Sequence, residues 1–188
     1  MPNRGLVRIL LGASLAVAAA CGANVPRPSP DFAINMTGGE QIHLSQYKGK
    51  VCVVAFILTT CPHCQKTVQY LSAIQNEYGS RGVQVVASAI ESMANMNVPD
   101  FIKRFQPSFP VGFNDQEVVQ RFLQHPVMLR MFMPQLVFID RQGTIRAQYP
   151  GEDNFFAKDQ DQHLRDQIDA LLQETPAPHK KRSHAKSS

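Results

Sequence analysis

Cys61-Pro62-His63-Cys64 sets two thiols three positions apart with an imidazole between them. That pattern supports three chemistries: a metal clamp, a short structural disulfide, or a reversible dithiol–disulfide couple. A clamp needs three or four donors, and only Cys61, His63 and Cys64 cluster here, with no second Cys-x-x-Cys in the chain. A structural disulfide normally staples distant segments, and closing so short a loop constrains the unfolded chain little. The redox couple is therefore the favoured reading. A copper or zinc carrier using the same cysteines is its rival outside the enzymes.

The flanking pattern indicates how such a couple is held. The apolar run from Val51 to Leu58 reads as a central strand covered on both faces. A helix beginning near Cys61 would then set Cys64, Val68, Leu71, Ile74 and Tyr78 along its inner face. Cys61 falls at the helix start, where unpaired N–H groups and the positive end of the dipole favour a thiolate, the form that attacks disulfides. Cys64, shielded and one turn on, is placed to resolve the mixed disulfide. Pro62 suits a first turn, and a protonated His63 adds positive charge near the same sulfur. Cys52, inside the strand, reads as inert packing, and His43, His125 and His163 as isolated structural or surface groups.

The rest of the chain alternates. "DFAINMTGGEQIHL" reads as two short strands around Gly38-Gly39. "VQVVASAI" reads as a second buried strand ending at Ile90, and "VPDFIKRF" as a short helix with Pro99 in its first turn. "NDQEVVQRFLQ" reads as a helix with Asn114 and Glu117 as a capping box. "PQLVFID" and "TIRAQYP" flank Arg141-Gln142-Gly143 as a hairpin, and a last helix carries Leu164, Ile168, Leu171 and Leu172 on one face. The order βαβ, helical region, ββα predicts an α/β fold with a mixed sheet and helices on both sides.

With 188 residues, 44% of them hydrophobic, the chain is long enough for one full core and gives no reason to be split in two. Residues 1–21 read as a secretory signal, with arginines before an apolar run too short for a membrane span. Cys21 after three alanines resembles the lipidated cysteine of a bacterial lipoprotein, although Ala18 stands where that motif usually has Leu. Residues 22–30 read as a Pro-rich spacer that buries nothing, residues 31–173 as the domain, and residues 174–188 as a disordered basic tail. The net charge of +4 comes from the ends: between Asp31 and Gln173, 12 Lys and Arg face 14 Asp and Glu, leaving the body at −2. No basic face argues for nucleic acid.

"DFAINMTGGEQIHLSQYKGKVCVVAFILTTCPHC" and "MPQLVFIDRQGTIRAQYPG" together resemble the extracytoplasmic thioredoxin-like proteins of the TlpA/ResA and redoxin type. The resemblance spans roughly Pro30 to Gln173. It implies a thioredoxin-like fold with an N-terminal β-hairpin extension, and no cofactor beyond the redox-active Cys61–Cys64 disulfide. Protein thiols and disulfides would be its partners, with a membrane redox protein and a lipid anchor as further contacts, and the chain is expected to be monomeric. It also implies that Pro134 is the cis-proline beside the cysteines, its backbone open to an extended substrate. Glu91 matches the position of a buried acid that manages protons for Cys64; the alternative is a surface carboxylate at a strand end. The family usually has Trp where this chain has Thr60. Pro62-His63 is the dipeptide of strongly oxidising DsbA-type enzymes on a scaffold whose members mostly reduce, and a reductant or isomerase is expected ahead of an oxidant, which stays the alternative. The peroxiredoxin signature would need Pro and Thr where Val54 and Leu58 stand, so a thiol peroxidase is the enzyme alternative.

Overall fold

Seven consecutive buried residues, Val51–Ile57 (β4), form the strand on which the site is built. β4 pairs in parallel with Val83–Ala89 (β5) and antiparallel with Gln135–Ile139 (β7), so both its edges are hydrogen-bonded. Beyond β7 lies Thr144–Tyr149 (β8), and beyond β8 the two-residue strand Arg27–Pro28 (β1). On the other side, β5 is followed by Val111–Phe113 (β6) and the hairpin Ala33–Asn35 (β2) and Gln41–His43 (β3). The result is one mixed sheet of eight strands, order β1-β8-β7-β4-β5-β6-β2-β3. This computed structural model describes residues 24–174; the expected leader, Cys21 and the tail beyond Glu174 lie outside them.

Side chains alternate across β4, which divides the core in two. Val51, Val53, Ala55 and Ile57 face the cluster formed with Pro62–Tyr78 (α1), Ala94–Phe105 (α2) and Gln160–Gln173 (α4). Cys52, Val54 and Phe56 face the opposite cluster, covered by Gln116–Leu123 (α3) and the hairpin. Cys52 is thus separated from Cys64 by the sheet itself. α1 buries Cys64, Val68, Leu71, Ile74 and Tyr78, the register its spacing requires, and α4 buries Leu164, Ile168 and Leu171.

Several expectations need correction. The segment 22–30 is not a bare spacer: β1 pairs with β8, and Arg27 is buried, its Nη2 donating to the Phe122 carbonyl and to Gln148. Pro99 lies inside α2 rather than in its first turn, because the helix starts at Ala94 behind Met93 in the left-handed region (φ 61°). Asn95 and Pro99 are both exposed, so water can reach the Asn95 carbonyl, which loses its partner to the proline. Asn114 is no cap, since Asp115 occupies that position without a side-chain bond. Instead Asn114 is buried, accepting from the Ser88 hydroxyl (2.8 Å) and donating to the Ala33 carbonyl (2.8 Å), which ties β5 to the hairpin. The strand β6, inside what reads as a helical region, fits against β2 because it carries Gly112: a Cβ there would stand 2.3 Å from the Asn35 carbonyl.

Candidate active site

Cys61 is the N-cap of α1, with extended backbone (φ −80°, ψ 121°) and Pro62 directly inside the helix. Its N–H donates to the Leu58 carbonyl (3.1 Å), which turns the chain sharply from β4 into the helix. The side chain is half-buried, whereas Cys64, one turn on, is fully buried. Both are free thiols, and the Cys64 sulfur accepts from the Leu58 N–H at 3.4 Å. Burial pushes the Cys64 thiol far above its usual range. The Leu58 N–H opposes that shift, while Cys61 and the Glu91 carboxylate reinforce it by disfavouring another negative charge. Cys52, across the sheet, is pushed up to about 12 by burial alone.

Glu91 follows the end of β5, where the Ile90 N–H donates to the Ile57 carbonyl and so holds the segment against the end of β4. The carboxylate is not a solvated strand-end group. Its Oε1 accepts from the backbone N–H of Thr59 (3.1 Å) and from the Thr59 hydroxyl, while Oε2 is buried without a partner. Thr59 itself is buried, and its carbonyl accepts from the Gln65 side chain (2.8 Å). Thr59 and Gln65 carry no signal in the sequence, because only the fold brings Glu91 to Thr59 and Gln65 to its carbonyl.

Pro134 is buried, and the Met133–Pro134 peptide bond is cis. Because Phe56 pairs with Gln135, Pro134 lies level with the end of β4, where the chain turns toward Cys61. Met133 packs against both core clusters, and its N–H and carbonyl make no hydrogen bond among the described residues. His63 is exposed and makes no hydrogen bond among them either. A groove of about 350 Å³ flanks the turn, lined by Thr59, Thr60, Gln65, Asn97, Asp100 and Arg104. His43, His125 and His163 sit apart, beside Asp31 and the carbonyls of Leu129 and Phe155 respectively.

An accessible thiol at a helix start, a buried thiol one turn on, and a sheet of this order define a thioredoxin-like thiol–disulfide oxidoreductase. The chain belongs to the Redoxin family, whose sequence profile matches residues 8–164. It is 25% identical over 129 residues to "Thiol-disulfide oxidoreductase ResA" of Bacillus thuringiensis subsp. konkukian, covering 68% of this chain and 70% of that one. The ResA of Geobacillus thermodenitrificans is 26% identical over 137 residues, covering 72% and 74%. Among solved structures, a protein of Chlorobium tepidum named for the thiol:disulfide interchange protein DsbE superposes with a TM-score of 0.67 at 25% identity. That match covers 78% of this chain and 96% of the other. A second thiol:disulfide interchange protein from the same organism, at 22% identity and TM-score 0.66, shares the fold.

Proposed function

We propose that this protein exchanges disulfides with extracytoplasmic proteins through Cys61 and Cys64, acting as a reductant or isomerase. The contrast in burial between the two sulfurs carries this reading. In the reducing direction the Cys61 thiolate attacks a substrate disulfide, forming a mixed disulfide and releasing one substrate thiolate. Cys64 then gives up its proton and attacks the Cys61 sulfur. The second substrate thiol leaves, the Cys61–Cys64 disulfide closes, and two electrons have passed to the substrate. Glu91, with its unpartnered Oε2, is the group assigned to take the proton from Cys64. Pro134 and the free backbone of Met133 pair with the extended substrate. A membrane-bound dithiol donor restores the reduced pair.

A carboxylate beside the pair disfavours negative charge on Cys64, so that thiol keeps its proton until it resolves the mixed disulfide. Location rests on the leader: residues 1–21 direct export, and Cys21 accepts lipid that tethers the domain to a membrane. Expression of Cys64→Ser in the native cell tests the reading. Mixed disulfides between Cys61 and exported proteins should accumulate and dissolve on reduction; their absence, with the variant correctly exported, would contradict it.

A further inference from the structure

We infer that Gly151 and Gln135 are positioning residues that fix the Met133 backbone for pairing with a peptide substrate. This rests on the exchange reading above and assigns the residues that shape its substrate-binding strand. Gly151 does not occupy the left-handed region that would by itself call for glycine. Its reason is proximity: a Cβ at this position would stand 2.7 Å from the carbonyl carbon and oxygen of Met133 and 2.8 Å from its nitrogen. The obstacle is backbone, which cannot swing aside as a side-chain end can.

The same contact is reinforced one residue earlier. The Gly151 N–H donates to the Phe132 carbonyl (3.2 Å), and the Gln135 side chain donates to that same oxygen (2.7 Å). Gln135 is only 1% exposed, so its amide is held by the core and grips the carbonyl from inside the sheet. A cavity of about 200 Å³ lies behind the loop, lined by Leu129, Gln135, Gln148 and Pro150 among others, and Met128 at its tip is 91% exposed. The two-sided clamp on Phe132 acts together with the packing of Met133 against both core clusters to set where the Met133 N–H and carbonyl point. Those are the groups a substrate backbone must meet in register with Cys61.

The test compares wild type, Gly151→Ala and Gln135→Met on two disulfides, with excess dithiothreitol returning the Cys61–Cys64 pair to the dithiol and its direct reaction with each disulfide subtracted. One is an unstructured disulfide-linked peptide. The other is bis(2-hydroxyethyl) disulfide, which has no amide to pair. In Gly151→Ala the KM for the peptide should rise about tenfold, the scale of one or two misplaced hydrogen bonds, with little change in kcat. Reduction of the small disulfide should change less than about twofold. Gln135→Met, which adds no clash, should shift the same KM in the same direction by a smaller factor, so the inference does not depend on Gly151→Ala folding. Unchanged peptide KM in both variants, or equal losses on both disulfides, would overturn it. A wild-type protein that reduces neither compound would sink the exchange reading itself, and the inference with it.

Discussion

Thr59 donates its backbone N–H and its hydroxyl to one oxygen of Glu91, leaving the other oxygen buried without a partner and the carboxylate close enough to raise the Cys64 thiol. Glu91→Gln keeps an acceptor for Thr59 and removes the charge. Cys64 should then ionise at lower pH, and its alkylation rate, followed residue by residue by mass spectrometry in a Cys61→Ser background, should rise at lower pH. A midpoint that stays put or moves up would show that Glu91 does not act on Cys64.

The two buried thiols should make the reduced protein alkali-sensitive. A thiol of the unfolded chain ionises near 9, whereas Cys52 is pushed up to about 12 in the folded protein and Cys64 is raised as well. Below pH 9 both states keep the proton, so stability is unaffected. Above it the unfolded state loses protons that the folded state retains, and stability falls by up to about 1.4 kcal/mol per pH unit per thiol, ending for Cys52 near pH 12. Urea unfolding at a series of pH values from 8 upward measures the slope. Cys52→Val should make it shallower, and an unchanged slope would show that Cys52 is not the group responsible.

The lock at Asn114 makes a sharper distinction than a simple loss of stability. Aspartate caps helices as well as asparagine does, but it has no N–H to give the Ala33 carbonyl. Asn114→Asp should therefore cost about 1–3 kcal/mol, the scale of an unsatisfied buried group, seen as a lower urea midpoint. Stability equal to wild type would restore the capping role.

His63 is exposed beside the pair. When protonated it favours the thiolate-bearing reduced form, so its removal should make the couple more reducing. For His63→Ala equilibrated with glutathione, the reduction potential should fall by an amount on the order of 30 mV or less, the equivalent of about one pKa unit. A potential unchanged or higher would remove His63 from the tuning of the pair.

The parts of this molecule legible in its sequence are those where period and burial coincide. β4 reads as a run because both faces are covered, and α1 reads at helical spacing because one face meets the sheet. The hairpin β2–β3 announces itself through Gly38-Gly39, with Gly39 at φ 93°. What was hidden depends on partners distant in sequence. β1 and β6 are two and three residues long, and pairing with β8 and β5 makes them strands. Asn114 carries a cap signature, but Ser88 and Ala33 claim its side chain. At the site, Cys61 and Cys64 are plain from spacing, whereas the inward turn of Glu91 needs Thr59, 32 positions away. The clamp of Gly151 and Gln135 on Phe132 has no sequence signal at all.

The central claim is that one sulfur of the pair attacks and the other resolves, and the order of alkylation tests it most directly. The reduced protein, treated briefly with iodoacetamide at mildly acidic pH and digested for mass spectrometry, should carry the label on Cys61 well before Cys64 or Cys52. Cys61 is half-buried at the helix start, and the other two are buried thiols that resist ionisation. Equal labelling of Cys61 and Cys64, or labelling of Cys52 first, would contradict the assignment.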